Sequence, residues 1–304
     1  MMNSILKITI ACGFLLLAGN VAYAAERVLV IGATHDDPQA QHAVMRPIAD
    51  YVQEALKPYG IESVEVLVVP NRRQMVNLLR DGRIDWVSET PFAAVYLHER
   101  AGAEYLVRKW KDGTQSYRSI FFARKDRGID KIEDLEDRIV AFEHRNSTSG
   151  FFMPASMMSA LELTLDGLAT PRETPKPETF GYVYSGNEYN TAMWVHKGLV
   201  DAGVLSDSDW KDRNIVPVEF LQDMQIFAAS EELPRAIELV RGGLDPKLKK
   251  ALKNVLMSLH EDEAATNALA AYDRTAKFDA LTDESLMALQ GITEKLPAFR
   301  EQFP

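Results

Sequence analysis

Short apolar runs alternate with helical segments through the first part of the chain. The runs 27–33 and 64–69 are continuous and rich in Val, Leu and Ile, as in strands buried on both faces of a parallel sheet. Each run is followed by a segment with apolar residues at helical spacing, at about 43–56 and 71–79. This alternation predicts an α/β fold with doubly wound sheets, in which the loops after the strands form the ligand crevice.

The same two periodicities extend through the rest of the chain. Further strands are predicted at 84–87, 116–124, 138–142, 180–184 and 200–205, with a return strand over 216–221 and 225–229. Helices are predicted at 92–100, over the apolar run 151–163, after 185–190 as far as Val195, and through most of the chain from Asp245 onward. The polar stretches between these elements read as surface connections.

The N-terminus has the pattern of a secretory signal peptide. Lys7 supplies a positive charge, an apolar stretch follows, and Ala22-Tyr23-Ala24 is an Ala-x-Ala site, so residues 1–24 are predicted to be cleaved. The single cysteine, Cys12, lies inside this segment, and it is a poor lipidation site because the apolar run continues past it. The mature chain is therefore expected to be periplasmic and to lack disulfides, thiolate metal sites and a cysteine nucleophile.

Charge and composition narrow the class of function. The formal net charge of −10 and the pI of about 5.2 disfavour a general binder of nucleic acids or anionic membranes. The mature length suits two lobes. The sequence contains no nucleophile elbow, His-Glu-x-x-His pair, phosphate loop or dinucleotide fingerprint, and its six histidines are scattered. We therefore expect a protein that is not an enzyme and that has neither a cofactor nor a bound metal.

A polar turn lies between a predicted strand and a predicted helix at Asn146-Ser147-Thr148-Ser149-Gly150. The first turn of a helix has backbone N–H groups without partners in the helix, and the helix dipole is positive there. Three consecutive hydroxyls add donors, and Pro154 fits the start of a helix. The turn is thus a candidate oxyanion site at Ser147, Thr148 and Ser149, the alternative being that one residue acts only as a helix cap.

Polar residues that follow other strands are the remaining candidates. The turns at 34–37 and 88–90 lie at the predicted crevice, and Tyr117 and Arg118 lie near the polar start of the predicted strand 116–124. For each of these residues the alternative is a solvated turn or strand end. The ligand-binding candidates besides the turn are His35, Asp36, Glu89, Thr90, Tyr117, Glu188 and Asp207.

Several motifs together resemble the periplasmic solute-binding proteins for phosphonate, phosphite and phosphate that feed ABC importers. The most specific are Phe122-Ala123-Arg124-Lys125-Asp126, Ile132-Glu133-Asp134-Leu135, Val140-Ala141-Phe142, Asn146 to Gly150 with Pro154, Ser185-Gly186, Gly198 to Val204, and Leu256 to His260. The resemblance implies a two-lobed fold with two crossing hinge strands and a ligand held between lobes that close over it. It implies lobe 1 at 25–117 plus 226–304, lobe 2 at 118–225, a monomer, and a membrane permease as partner.

The resemblance also places the oxyanion against Ser147, Thr148 and Ser149. Members of the family often carry a histidine followed by an acid after the position of Ser185-Gly186, whereas this chain has Asn187, Glu188 and Tyr189. The ligand is therefore left open among phosphate, phosphite, a phosphonate, and arsenate or arsenite, in a protonated or amino-bearing form that a carboxylate would accept. A periplasmic sensing partner of a membrane histidine kinase is the alternative role, and an enzyme on the same fold is a third.

Overall fold

The computed structural model describes residues 27–161 and 164–303. The predicted signal peptide 1–24 and the end of the predicted helix at Leu163 lie outside the described residues. Strands and helices alternate through the first part of the described chain, as predicted. They are β1 Arg27–Thr34, α1 Pro38–Leu56, β2 Ile61–Val69, α2 Arg72–Arg80, β3 Trp86–Glu89, α3 Pro91–Ala101 and β4 Glu104–Lys109.

The chain then forms a second group of elements and afterwards returns to the first. The second group is β5 Ser116–Tyr117, β6 Ser119–Arg124, β7 Ile139–Phe142, α4 Met153–Ser159, β8 Thr164–Gly167, β9 Thr179–Tyr184, α5 Glu188–His196, β10 Ala202–Ser206, α6 Asp207–Lys211, α7 Val218–Asp223 and β11 Met224–Ala229. The returning part is β12 Leu233–Pro234, β13 Ala236–Val240, α8 Pro246–Ser258, α9 Thr266–Ala271, β14 Phe278–Asp279 and α10 Asp283–Gln302.

Two six-stranded sheets flanked by helices make up the two lobes. The first has the strand order β14-β4-β13-β3-β1-β2, and the second has the order β11-β6-β10-β7-β9-β8. Strands β1, β2 and β3 pair in parallel, as do β7, β8, β9 and β10, whereas β13 and β6 run antiparallel to their neighbours. The predicted α/β architecture with two lobes is confirmed, with one antiparallel strand inserted where the chain enters each sheet from the other lobe.

The two passages between the sheets run side by side. Strands β5 and β12 form a two-stranded antiparallel ladder in which Tyr117 faces Leu233. Next to it, the Ser230 N–H donates to the Ser119 carbonyl at 2.8 Å. These are the crossing strands that a hinge requires. The lobe limits remain a prediction, and the structure places residues 226–229, which we assigned to lobe 1, in strand β11 of the second sheet.

Some predicted elements differ from the observed ones. Residues 216–221 do not form a return strand, because Pro217 caps helix α7, in which Phe220 is the buried residue. The predicted strand 116–124 is divided at Arg118 into β5 and β6. Sequence reasoning missed β4, β8, β12, β13 and β14, although β13 is a fully buried strand in the middle of the first sheet.

A cluster of aromatic rings joins the two lobes beside the hinge. Phe92 of α3 stacks on Phe152 at a centroid distance of 4.4 Å, and Phe299 of α10 packs on Phe152 at 4.8 Å and on Phe151 at 5.4 Å. Burying a phenylalanine side chain stabilises a fold by roughly 1.5–3 kcal/mol. The end of α10 therefore holds the second lobe against the first. Among the described residues, no helix is long and apolar enough to cross a membrane.

Candidate functional site

The loops at the facing edges of the two sheets enclose a cavity of about 630 Å³. Both lobes contribute to its walls, as does the hinge. The lining residues are Thr34, His35, Asp36, Pro70, Arg72, Glu89, Thr90, Lys111, Tyr117, Glu143, His144, Asn146, Ser147, Thr148, Ser149, Gly186, Glu188, Ser206, Asp209 and Arg235. The size is that of a site for a small molecule.

The turn 147–149 is held in place by three separate contacts. The Ser147 hydroxyl caps the helix by accepting the Gly150 N–H at 2.8 Å. Thr148 Oγ1 accepts the Phe92 N–H from the first lobe at 3.1 Å, and the Ser149 carbonyl accepts the Ser119 hydroxyl at 2.6 Å. A π-helical turn from Thr148 to Phe152 leads directly into α4. Ser147 is thus a helix cap and also part of the cavity wall. A role as helix cap therefore does not exclude a role in an oxyanion site.

Two arginines bring positive charge to the cavity from outside the turn. Arg72 is the first residue of α2, and its Nη2 donates to the Asn146 carbonyl of the second lobe at 3.1 Å. Burial lowers the pKa of Arg72, and the nearby Glu89 carboxylate opposes this shift. Arg235 lies between β12 and β13 with its guanidinium 5.0 Å from the centroid of the Tyr117 ring. One cation therefore comes from the first lobe and one from the hinge.

Carboxyl groups on the second lobe also face the cavity. Glu143 follows β7, and Glu188 is the first residue of α5. Burial, together with the adjacent Glu143 charge, raises the pKa of Glu188 to about 7. Burial also raises the pKa of Asp209, although the Ser206 hydroxyl donates to its carboxylate. The cavity therefore contains acids that hold protons more readily than exposed carboxyl groups do.

The structure brings nine of the ten predicted ligand-binding residues to this cavity. They are Ser147, Thr148, Ser149, His35, Asp36, Glu89, Thr90, Tyr117 and Glu188. Tyr117 is buried and lines the same cavity as Thr148. Burial raises the pKa of Tyr117 to about 12. At neutral pH its hydroxyl is therefore protonated.

Asp207 was placed in the site by the sequence analysis, and the structure locates it elsewhere. Its Oδ1 accepts the Arg118 N–H at 3.0 Å, and its Oδ2 pairs with Lys211 at 3.0 Å. Asp209, two residues further along α6, lines the cavity instead. Successive helical residues are rotated by about 100° from one another, so residues two apart point in nearly opposite directions. Arg118 also points away and pairs with Glu232 at 3.6 Å.

Sequence reasoning missed Arg72, Arg235, Lys111, Glu143 and Asp209 as cavity residues. The position of Arg72 could have been inferred, because it opens a helix directly after β2, at the same sheet edge as the other candidates. Arg235 carried no such signal, since the strand that follows it was itself not predicted.

The arrangement offers both donors and acceptors to a ligand. Hydroxyls, a helix start and two arginines can bind an oxyanion through charge-assisted hydrogen bonds. The carboxyl groups in the same cavity can accept hydrogen bonds from a protonated oxygen or an amino group on the same ligand.

Comparison with known proteins agrees with this geometry. Residues 31–286 match the family of periplasmic substrate-binding proteins of phosphonate ABC transporters. A protein from Xanthomonas citri, XAC2383, was solved bound to chloride. It shares 34% sequence identity over 90% of this chain and 99% of its own, with a TM-score of 0.84.

Further structures extend the comparison. XAC2383 was also solved bound to ATP, with 33% identity over 91% of this chain and 99% of its own and a TM-score of 0.84. PhnD1 from Prochlorococcus marinus, solved with methylphosphonate, has the same fold at 18% identity, a TM-score of 0.65, and coverage of 90% of this chain and 99% of its own. The chain belongs to the family of periplasmic substrate-binding proteins of phosphonate ABC transporters.

Proposed function

We propose that this protein binds a small phosphorus oxyanion in the cavity between its lobes and delivers it to an ABC permease after the lobes close. The observation that carries this proposal is the turn 147–149, which lies at a helix start in the cavity wall, in the same cavity as Arg72 and Arg235. Charge-assisted hydrogen bonds in a site shielded from water would supply the binding energy. The lobes already touch across the cavity through Arg72 and through Phe92.

The acids in the cavity narrow the class of ligand. Glu89, Glu143, Glu188 and Asp209 line the same space as the arginines. A bare dianion would be repelled by any of these carboxyl groups that is ionised, so the favoured ligand brings its own hydrogen-bond donor. Monoprotonated phosphate, a monoprotonated phosphonate and an amino-bearing phosphonate meet this requirement. Arsenite does not fit as well, because trivalent arsenic favours thiolates and Cys12, the chain's only cysteine, lies in the predicted signal peptide.

A nucleotide is a second candidate ligand for the same site. The relative XAC2383 was solved with ATP, and it shares 33% identity with this chain over nearly its whole length. A cavity of about 630 Å³ lies within the usual range for ligands of drug size. In this case a terminal phosphate would occupy the turn 147–149.

A melting-temperature panel tests the proposal. The protein from residue 25 onward is heated in chloride-free buffer with phosphate, phosphite, methylphosphonate, 2-aminoethylphosphonate, arsenate or ATP at millimolar concentration, and the protein without added anion is the reference. A ligand that binds only the folded state raises the melting temperature. We expect a shift with at least one phosphorus oxyanion and its loss in T148A/S149A. The absence of a shift with every anion would refute the oxyanion function.

A further inference from the structure

We propose that Glu143 and Glu188 hold one proton between them at the edge of the turn 147–149, and that this proton couples oxyanion binding to proton uptake. The proposal rests on the proposed function, because it concerns the same cavity. Strands β7 and β9 are adjacent and parallel, so the residues that follow them meet at one sheet edge. Glu143 comes directly after β7, and Glu188 opens the helix that follows β9.

Contact between the two carboxyl groups requires a proton. The Gly186 N–H, two residues before Glu188, donates to the Glu143 carbonyl at 2.9 Å, and both glutamate side chains line the cavity. An ionised carboxylate has only acceptor atoms, so a hydrogen bond between the two side chains requires one of them to be protonated. Two neighbouring carboxylates also repel each other when both are ionised.

The neighbours of Glu143 determine which residue keeps the proton. His144 Nε2 lies 3.0 Å from Glu143 Oε1. Burial alone would raise the pKa of Glu143, but the hydrogen bond and charge of His144, with smaller contributions from other neighbours, together lower it. Glu188 has no such cationic neighbour on its own helix turn, and its pKa is raised to about 7 by burial and by the Glu143 charge. The proton therefore resides on Glu188.

Other charged groups near Glu143 and Glu188 also affect how readily the two glutamates ionise. Asp209 on α6 acts on both glutamates and disfavours their ionisation. Arg72 on α2 and Arg235 next to the hinge line the same cavity and favour the ionised forms. His144 titrates as well, and the hydrogen bond to Glu143 raises its pKa. A pH profile of binding thus contains contributions from Glu188 and from His144.

The direction of the effect follows from charge. An oxyanion at the turn 147–149 adds negative charge next to the pair and raises the affinity of Glu188 for its proton. Above pH 7 the free protein has lost this proton, so binding must take one up, and the affinity falls as the pH rises. Replacing Glu188 by Gln keeps a hydrogen-bond donor but removes the proton exchange. The variant E188Q should thus bind with less dependence on pH.

Calorimetry with inorganic phosphate provides the test, with a second anion from the panel if it binds more tightly. Affinity is measured from pH 6 to 9 for wild type, E188Q and E219Q, the last being an exposed glutamate on α7 that serves as the matched control. Because phosphate groups titrate near pH 6 to 7, the ratio of wild-type to E188Q affinity is the quantity compared. We expect this ratio to fall by up to about tenfold per pH unit above pH 7, with E219Q matching wild type. A ratio that does not change with pH would overturn the inference.

A second measurement needs no ligand and separates this inference from the proposed function. Carbon-13 NMR of glutamate-labelled protein should show a carboxyl group that titrates near pH 7, is missing in E188Q, and titrates at lower pH in E143Q. If every carboxyl group titrated in the ordinary range for glutamate, the shared proton would be refuted even if phosphate binds. If this titration is found but no anion binds, the proposed function and the coupling to proton uptake both fail, and only the shared proton remains.

Discussion

Thr148 links the candidate ligand site to closure of the lobes. Its Oγ1 accepts the Phe92 N–H from the first lobe at 3.1 Å, and it lines the same cavity as the hinge residue Tyr117. Thr148 is only 1% exposed, so the substitution T148V, which has nearly the same shape, changes little besides the hydroxyl. It leaves the buried Phe92 N–H without its acceptor.

The size of the effect follows from the lost partner. Leaving a buried donor without an acceptor costs about 1–3 kcal/mol. If this contact forms only when the lobes close, the cost falls on the closed, ligand-bound state. The dissociation constant should then rise by about 5- to 150-fold. The melting temperature of the unliganded protein should change little.

Calorimetry with the best anion from the panel measures this change, and a melting curve without ligand accompanies it. The control is S156A, which removes a hydroxyl that donates to the Phe152 carbonyl at 2.8 Å within the same helix and away from the cavity. Its affinity should equal that of wild type. The reasoning would be refuted if T148V bound the anion as tightly as wild type while the unliganded protein melted at a lower temperature, because the contact would then belong to the fold and not to closure.

Three further substitutions test other parts of the site and fold. R235M removes a cation that lines the cavity and should weaken anion binding by roughly 1–3 kcal/mol in calorimetry, with a smaller loss at high salt if the contribution is electrostatic. G150A should abolish anion binding in the same assay, because a Cβ there would lie 2.7 Å from the Cβ of Glu143. G291A in α10 is the control: the nearest atom to its Cβ would be 3.7 Å away, so this variant should raise the melting temperature slightly. F299A should destabilise the protein by about 3–5 kcal/mol and lower the melting temperature by roughly 6–15 °C, because this ring packs against both lobes.

Local features of the chain were readable from sequence. The turn 147–149 and the glutamate at 188 each follow a strand and open a helix, so neighbouring residues indicate their position at the crevice. The hydroxyls of the turn belong to one continuous segment. A site formed by one continuous segment can be predicted without knowing the rest of the fold.

Features that depend on contacts between distant segments were not readable. Arg235 reaches the cavity because the chain crosses back to the first lobe at β12, and β13, which follows it, was not recognised as a strand. Whether Asp207 or Asp209 faces the cavity depends on how the five-residue helix α6 is rotated about its axis. A pattern of polar residues does not determine that rotation. The pairing of Glu143 with Glu188 likewise depends on β7 and β9 being neighbours in the second sheet.

A crystal structure with bound arsenate tests the central claim most directly, because arsenic gives an anomalous signal that locates the anion. We predict one dominant peak in the cavity, within hydrogen-bond distance of the N–H or hydroxyl groups of Ser147, Thr148 or Ser149. A dominant peak elsewhere would contradict the account. The neighbouring groove lined by Arg100, Arg145 and Phe303 would be one such place.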